Sequence, residues 1–173
     1  MDQFPKERNG MKKLYVVNVA AAVFFVFGGL AFAQQGETTG SIPPKEKCPV
    51  CGMFVAMFAD WNARIEFQDS SYAIFDGAKD MFKYYLNVKK YNPSKSQNDI
   101  AAISVMDYYA KTSIDARQAF FVIWSDVYGP MGHEPIPFAE EADARKFMRE
   151  HKGKGILRFK DIGPKVILSL DNP

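Results

Sequence analysis

The chain has 173 residues, of which 47% are hydrophobic and 24% are charged, a balance typical of a globular domain. Its formal net charge is +2 and it has no long basic run, so the composition gives no reason to expect a nucleic-acid partner. Because the chain has two cysteines, it does not belong to the class of small proteins built on a disulfide scaffold.

Residues 1–33 have the pattern of an export signal. Lys12 and Lys13 precede an apolar run that ends in Ala31-Phe32-Ala33, a pattern that signal peptidase cleaves. A retained membrane anchor is the alternative, because an apolar run of about 20 residues can span a bilayer. Since no cysteine ends the run, a lipid anchor is not expected. The domain is therefore expected in the periplasm, either soluble after cleavage or anchored to the inner membrane.

Residues 34–46 are polar, contain two prolines, and are interpreted as a linker to a domain at residues 47–169. Alternation of apolar and polar residues then predicts a strand at 63–67 and a hairpin partner at 71–75. Apolar residues at three- and four-residue spacing predict a helix that starts at Asp76 or Gly77 and runs to about Lys89, with Asp76 as a candidate N-cap. A further strand is expected at 100–109.

The second half of the domain repeats this order of elements. Residues 119–126 form a strongly apolar predicted strand, and a loop rich in Gly and Pro follows it. A short strand at 136–138, a helix at 139–152 and a strand at 155–159 complete the pattern. The sequence therefore predicts an α+β domain made of two related ββαβ halves.

Both cysteines lie in the loop before the first predicted strand, in the stretch KEKCPVCGMFVAMF. A thioredoxin-like dithiol at Cys48 and Cys51 is one interpretation, but such a pair needs a preceding strand and a following helix, whereas here a proline-containing linker comes before it. A zinc site needs four ligands, and the two histidines are far apart in sequence. A structural disulfide is a third possibility. The fourth is a soft-metal site, because a thiolate together with the thioether of Met53 favours Cu(I).

A copper site at Cys51 and Met53 needs a further ligand from elsewhere in the chain. The extended loop is expected to direct both sulfur atoms to one side. Met131 lies between Pro and Gly in the loop YGPMGHEPIPF, where packing does not explain a methionine, and His133 follows two residues later. The two loops occupy equivalent positions in the two halves and could meet. The remaining methionines of the domain are interpreted as packing residues: Met57, Met81, Met106 and Met148.

Two stretches of the chain resemble the NosL family, the accessory proteins of nitrous oxide reductase maturation. They are KCPVCGMFVAMFADWNARIEFQDSSYAIFDGAKDMFKYY and YGPMGHEPIPFAEEADARKFMREHKGKGILRF, and the likeness runs from about residue 45 to 162. The CGM stretch, the FDG-x-KDMF helix start and the PMGHE-x-IPF loop are each fairly specific, and together they make the resemblance strong.

The resemblance implies a fold of two related ββαβ halves and a periplasmic or membrane-tethered Cu(I) chaperone rather than an enzyme. It implies Cys51, Met53 and Met131 as copper ligands, with His133 as a further candidate. It leaves the role of Cys48 open between a second thiolate, an oxidation partner of Cys51 and a loop residue. The implied partners are nitrous oxide reductase and an ABC-type membrane complex of its maturation machinery. The rival interpretation is a periplasmic thiol–disulfide oxidoreductase that uses Cys48 and Cys51.

Overall fold

The first half of the domain is built on an antiparallel sheet. The computed structural model describes residues 42–171. Side chains of the first strand alternate as predicted, with Ile65 and Phe67 in the core and Arg64 paired with Glu66 on the other face at 3.0 Å. The strands of the sheet are β1 (Ala63–Phe67), β2 (Tyr72–Phe75), β3 (Ile100–Met106) and β4 (Ser113–Asp115). Their order in the sheet is β2-β1-β3-β4.

The helix of the first half is shorter than the sequence predicts. Helix α1 spans Ala78–Leu86, and a separate turn of helix, α2, spans Val88–Tyr91. The break lies at Asn87, whose backbone has left the helical region, with φ −139° and ψ 47°. The expectation that Asp76 caps the helix is wrong. Gly77 occupies the N-cap position without a side-chain hydrogen bond, and Asp76 precedes it with its carboxyl group turned toward a cysteine.

The second half repeats the strand, strand, helix, strand order around a three-stranded sheet. The elements are β5 (Phe120–Ile123), β6 (Tyr128–Gly129), β7 (Gly132–His133), β8 (Ile136–Phe138), α3 (Glu141–Glu150) and β9 (Gly155–Arg158). The sheet has the order β8-β5-β9, so that β5 is central here as β1 is central among β1–β3. A small hairpin, β6 and β7, is inserted between β5 and β8. The predicted α+β fold of two ββαβ halves is confirmed.

Aromatic packing between the halves buries the inner face of α1. The ring of Phe82 meets Phe121 of the second half edge-on, with centroids 5.2 Å apart, and contacts Phe159 at 5.0 Å. Helix α4 (Pro164–Asp171), which the sequence analysis did not predict, adds buried Ile167 and Leu170 to the same core. These contacts hold α1 in place, and its N-terminal end carries the groups described below.

The methionines divide differently from the prediction. Met81 and Met106 are buried, as expected, and Met148 packs against the smaller core cluster of the second half. Met57 is 73% exposed, so its interpretation as a core residue is wrong. It lies in a short 3-10 helix, Val55–Phe58, where Val55 is the buried member.

The predicted signal peptide or anchor at residues 1–33 lies outside the described residues, as does most of the linker. Within residues 42–171, no helix is both long enough and apolar enough to cross a membrane.

Candidate metal site

The cysteine loop is a closed turn rather than the extended segment that the sequence predicts. The backbone N–H of Cys48 donates to the carbonyl of Met53 at 2.9 Å, and that of Gly52 donates to the carbonyl of Cys48 at 2.9 Å. Gly52 has a φ of +80°, a left-handed conformation that glycine adopts without steric cost. The alternation argument for Cys51 and Met53 therefore does not apply, because the chain turns between them.

Both thiols face two carboxyl groups at the start of α1. The thiol of Cys48 donates to Asp80 Oδ2, and the thiol of Cys51 donates to Asp76 Oδ1, each at 3.4 Å. One ligand atom from each of these four residues lies within 4.8 Å of the others, so the cluster could hold a metal ion. Cys48, Asp76 and Asp80 are buried, whereas Cys51 is partly exposed. Cys51 is therefore the more accessible of the two thiols.

The surroundings keep both thiols protonated at neutral pH. Burial raises the pKa of Cys51 to about 11, and neighbouring Asp80 acts in the same direction. Burial raises the pKa of Cys48 still further from its ordinary value. Reactive redox dithiols have a lowered thiol pKa instead. In this state the thiols act as hydrogen-bond donors to the carboxylates, and a metal ion must displace a proton to bind.

The carboxyl groups have unused acceptor capacity. Among the described residues, the buried atoms Asp76 Oδ2 and Asp80 Oδ1 have no hydrogen-bond partner, although Lys83 Nζ lies 3.6 Å from Asp80 Oδ1. A buried polar atom without a partner is costly unless something else occupies the site. The donor set of two sulfur atoms and two carboxylate oxygens fits a cation that accepts sulfur ligands. It also supplies four ligand atoms, so counting histidines was an incomplete argument against zinc.

The second predicted loop contacts the same end of α1. Pro130 and Met131 form the tip of the β6–β7 hairpin, in which Gly129 pairs with Gly132. The carbonyl oxygen of Met131 accepts a hydrogen bond from Lys79 Nζ at 2.5 Å. Glu134, two residues after Gly132, accepts one from the backbone N–H of Lys79 at 2.7 Å. The cysteine loop and the methionine loop thus both contact the segment 76–80.

His133 lies beside the hairpin tip in an aromatic setting. Its ring centroid is 4.8 Å from that of Trp124 and 4.8 Å from that of Tyr128. Its buried Nδ1 has no hydrogen-bond partner in the part of the chain that the structure describes. The ring is therefore held by packing, and the hydrogen-bonding capacity of its Nδ1 is unused.

Sequence reasoning missed Asp76 and Asp80 as members of the cluster. Both lie in the stretch FDGAKD, where Asp80 is on α1 and Asp76 precedes the N-cap, so helix periodicity does not place the two carboxyl groups on one face. Their approach to the cysteine loop depends on tertiary contacts that the spacing does not reveal.

Comparison with known proteins supports the resemblance seen in the sequence. The sequence model of the NosL family matches residues 39–167, about three quarters of the chain. The chain belongs to the NosL family. A NosL relative from Stutzerimonas stutzeri, named copper-binding lipoprotein NosL, is 27% identical over 154 residues, which cover 82% of this chain and 77% of the relative.

Two solved NosL structures are similar to this chain. The crystal structure of the copper chaperone NosL from Shewanella denitrificans matches with a TM-score of 0.59 at 23% identity and covers 72% of this chain and 94% of that one. The solution structure of apo-NosL from Achromobacter cycloclastes has a TM-score of 0.44 at 26% identity, covering 61% and 87%. The Shewanella match establishes the fold.

Proposed function

We propose that this protein is a Cu(I) chaperone that captures the ion with Cys51, Met53 and Met131. The observation that carries the proposal is that the Cys-x-Met loop and the methionine loop contact one segment, residues 76–80. Thiolate and thioether ligands select Cu(I) over hard cations. The names of the relatives, a copper-binding lipoprotein and a copper chaperone, support copper as the metal.

Capture of the ion begins at Cys51, because this thiol is the accessible one. The incoming Cu(I) takes the place of the thiol proton, which is released to solvent by way of the Asp76 carboxylate, 3.4 Å from the sulfur. Two thioethers then complete a site of low coordination number. Such a site, formed by loops rather than by a closed tetrahedral cage, lets a partner remove the ion by ligand exchange.

The proposed destination is the copper–sulfide centre of nitrous oxide reductase, reached with the help of an ABC-type membrane complex. The protein works in the periplasm, released after signal cleavage or held at the inner membrane by residues 1–33. The rival function, thiol–disulfide exchange by Cys48 and Cys51, is disfavoured by the raised pKa of both thiols, since exchange proceeds through a thiolate.

The test of the ligand set is a series of Met→Leu substitutions, which remove a thioether but nearly preserve volume and hydrophobicity. Met53→Leu and Met131→Leu are expected to weaken Cu(I) binding, measured by competition with a chromophoric Cu(I) chelator. The thermal midpoint of the apoprotein should change little. Met57→Leu, at an exposed position, and Met81→Leu, in the core, are the controls and should bind Cu(I) like the parent. If Met131→Leu also binds like the parent, the site is confined to residues 48–53.

A further inference from the structure

We infer that Lys79 is a positioning residue that holds the Met131 loop in place for metal capture. The inference rests on the proposed function, in which Met131 supplies a thioether. Lys79 is 1% exposed, although lysine is among the residues most rarely buried. A buried ammonium group is costly unless it is paired and hydrogen-bonded. Its contacts therefore show what the side chain is used for.

Lys79 binds both ends of the segment 131–134. Its Nζ donates to the carbonyl oxygen of Met131 at 2.5 Å, while its backbone N–H donates to Glu134 Oε2 at 2.7 Å. Between these two anchors, Gly132 has a φ of +84° and leaves the left-handed turn free of a side chain. Lys79 thus ties both ends of the hairpin tip to α1.

The carbonyl group that Lys79 holds belongs to the residue that carries the thioether. Hydrogen bonds of the hairpin fix the peptide groups of Gly129 and Gly132. Fixing the Met131 carbonyl as well restricts the ψ angle of Met131 and so the direction of its Cα–Cβ bond. A thioether that is already oriented loses less conformational freedom when it binds an ion, and this preserves affinity.

The C-terminal helix completes the network. Lys79 Nζ lies 3.1 Å from Asp171 Oδ1, at the end of α4, and the same oxygen accepts a hydrogen bond from Lys83 at 2.9 Å. The carboxylate of Asp171 balances the charge of the buried ammonium group. Partial burial acts to raise the pKa of Asp171, but the two lysines together outweigh it and hold the pKa below its ordinary value. The ammonium group is therefore both charge-paired and directed at the Met131 carbonyl.

The experiment is a double-mutant cycle of Lys79→Leu and Met131→Leu, with Cu(I) affinity as the readout. Leucine is chosen because Lys79→Met would add a thioether near the site. In the parent background, Lys79→Leu should weaken Cu(I) binding by about 10- to 100-fold, the usual effect of losing an outer-shell partner. In the Met131→Leu background it should have little further effect, because the group that it positions is already gone.

If Lys79 has a purely structural role, Lys79→Leu should reduce Cu(I) affinity equally in both backgrounds. That result would overturn the inference, as would no loss of affinity in either background. Lys79→Arg, which keeps the charge and the donor, should bind more tightly than Lys79→Leu. Lys95→Leu, which removes another ion-paired lysine at a distance from the loops, should bind like the parent. If Lys79→Leu does not fold, Lys79→Gln takes its place with the same criterion.

The same experiment distinguishes failure of the proposed ligand set from failure of the positioning role. If Met131→Leu alone leaves Cu(I) affinity unchanged, Met131 is not a ligand, and both the ligand set and the positioning role fall. If Met131→Leu weakens binding and Lys79→Leu weakens it independently, the ligand set stands and the positioning role alone is wrong.

Discussion

The pH dependence of Cu(I) binding reports how many thiols lose a proton when the ion binds. Burial raises the pKa of Cys51 to about 11, so this thiol is protonated throughout the range from pH 7 to pH 9. Each thiolate ligand formed on binding then releases one proton. The apparent association constant should rise about tenfold per pH unit, or about 100-fold over the range, which corresponds to about 2.7 kcal/mol.

The association constant is expected to rise about tenfold per pH unit, as for one thiolate, because the two cysteines differ in their surroundings. Cys48 is 2% exposed, donates to Asp80, and has the more strongly raised pKa, so it should keep its proton when Cys51 binds the ion. The assay is chelator competition at a series of pH values, corrected for protonation of the chelator. Cys48→Ser should retain the slope of the parent, and Cys51→Ser should lose it.

Two other slopes have definite meanings. A rise of about 100-fold per pH unit would mean that two thiols lose protons, which makes Cys48 a second thiolate ligand. A flat profile would contradict thiolate formation at Cys51 on binding, because it requires either that Cys51 is already ionised at pH 7 or that it does not bind the ion.

Three further predictions concern oxidation, pH-dependent stability and packing. A disulfide between Cys48 and Cys51 removes the Cys51 thiolate as a ligand, so oxidised protein should lose most of its Cu(I) binding and a reductant should restore it. Full Cu(I) binding by protein whose disulfide is verified by mass would contradict this. Burial raises the pKa of Glu134 to about 8 from an ordinary 4.5, so between these pH values the folded state binds more protons than the unfolded state. The free energy of unfolding therefore falls as the pH rises from 4.5 to 8. Glu134→Gln has no charge to bury, so in urea unfolding it should gain stability relative to the parent between pH 5 and pH 8. A Cβ at Gly129 would lie 2.4 Å from Glu134 Cγ, so Gly129→Ala should destabilise the fold by about 1–3 kcal/mol in the same assay, whereas Gly163→Ala, with nothing within 4 Å, should cost much less.

The predictable part of the fold was the part with clear periodicity. Strand β1 was located at its observed bounds because its side chains alternate between core and surface. Strands β4, β6 and β7 have three, two and two residues, too few for any periodic pattern to form. The helix break at Asn87 was missed because the residues on both sides favour helix, and the turn there is a local conformational detail that spacing does not record.

The site was predictable where ligand chemistry alone identifies a residue. A methionine between Pro130 and Gly132, or two residues after a cysteine, is unusual enough to suggest a soft-metal site from the sequence. Lys79, Asp76 and Asp80 were not found, because charged residues at a helix start are ordinarily exposed, and their burial depends on two loops distant in sequence. Their importance comes from tertiary contacts, which a single sequence does not display.

Capture of Cu(I) by Cys51 can be measured in a titration of the reduced protein. Cu(I) is added to the parent and to Cys51→Ser in the presence of a chelator, and the parent is then challenged with Zn(II). We expect about one Cu(I) per chain, a loss of affinity by orders of magnitude in Cys51→Ser, and no displacement by zinc, because soft sulfur ligands favour Cu(I). Equal or tighter binding of zinc, or unchanged Cu(I) affinity in Cys51→Ser, would contradict this expectation.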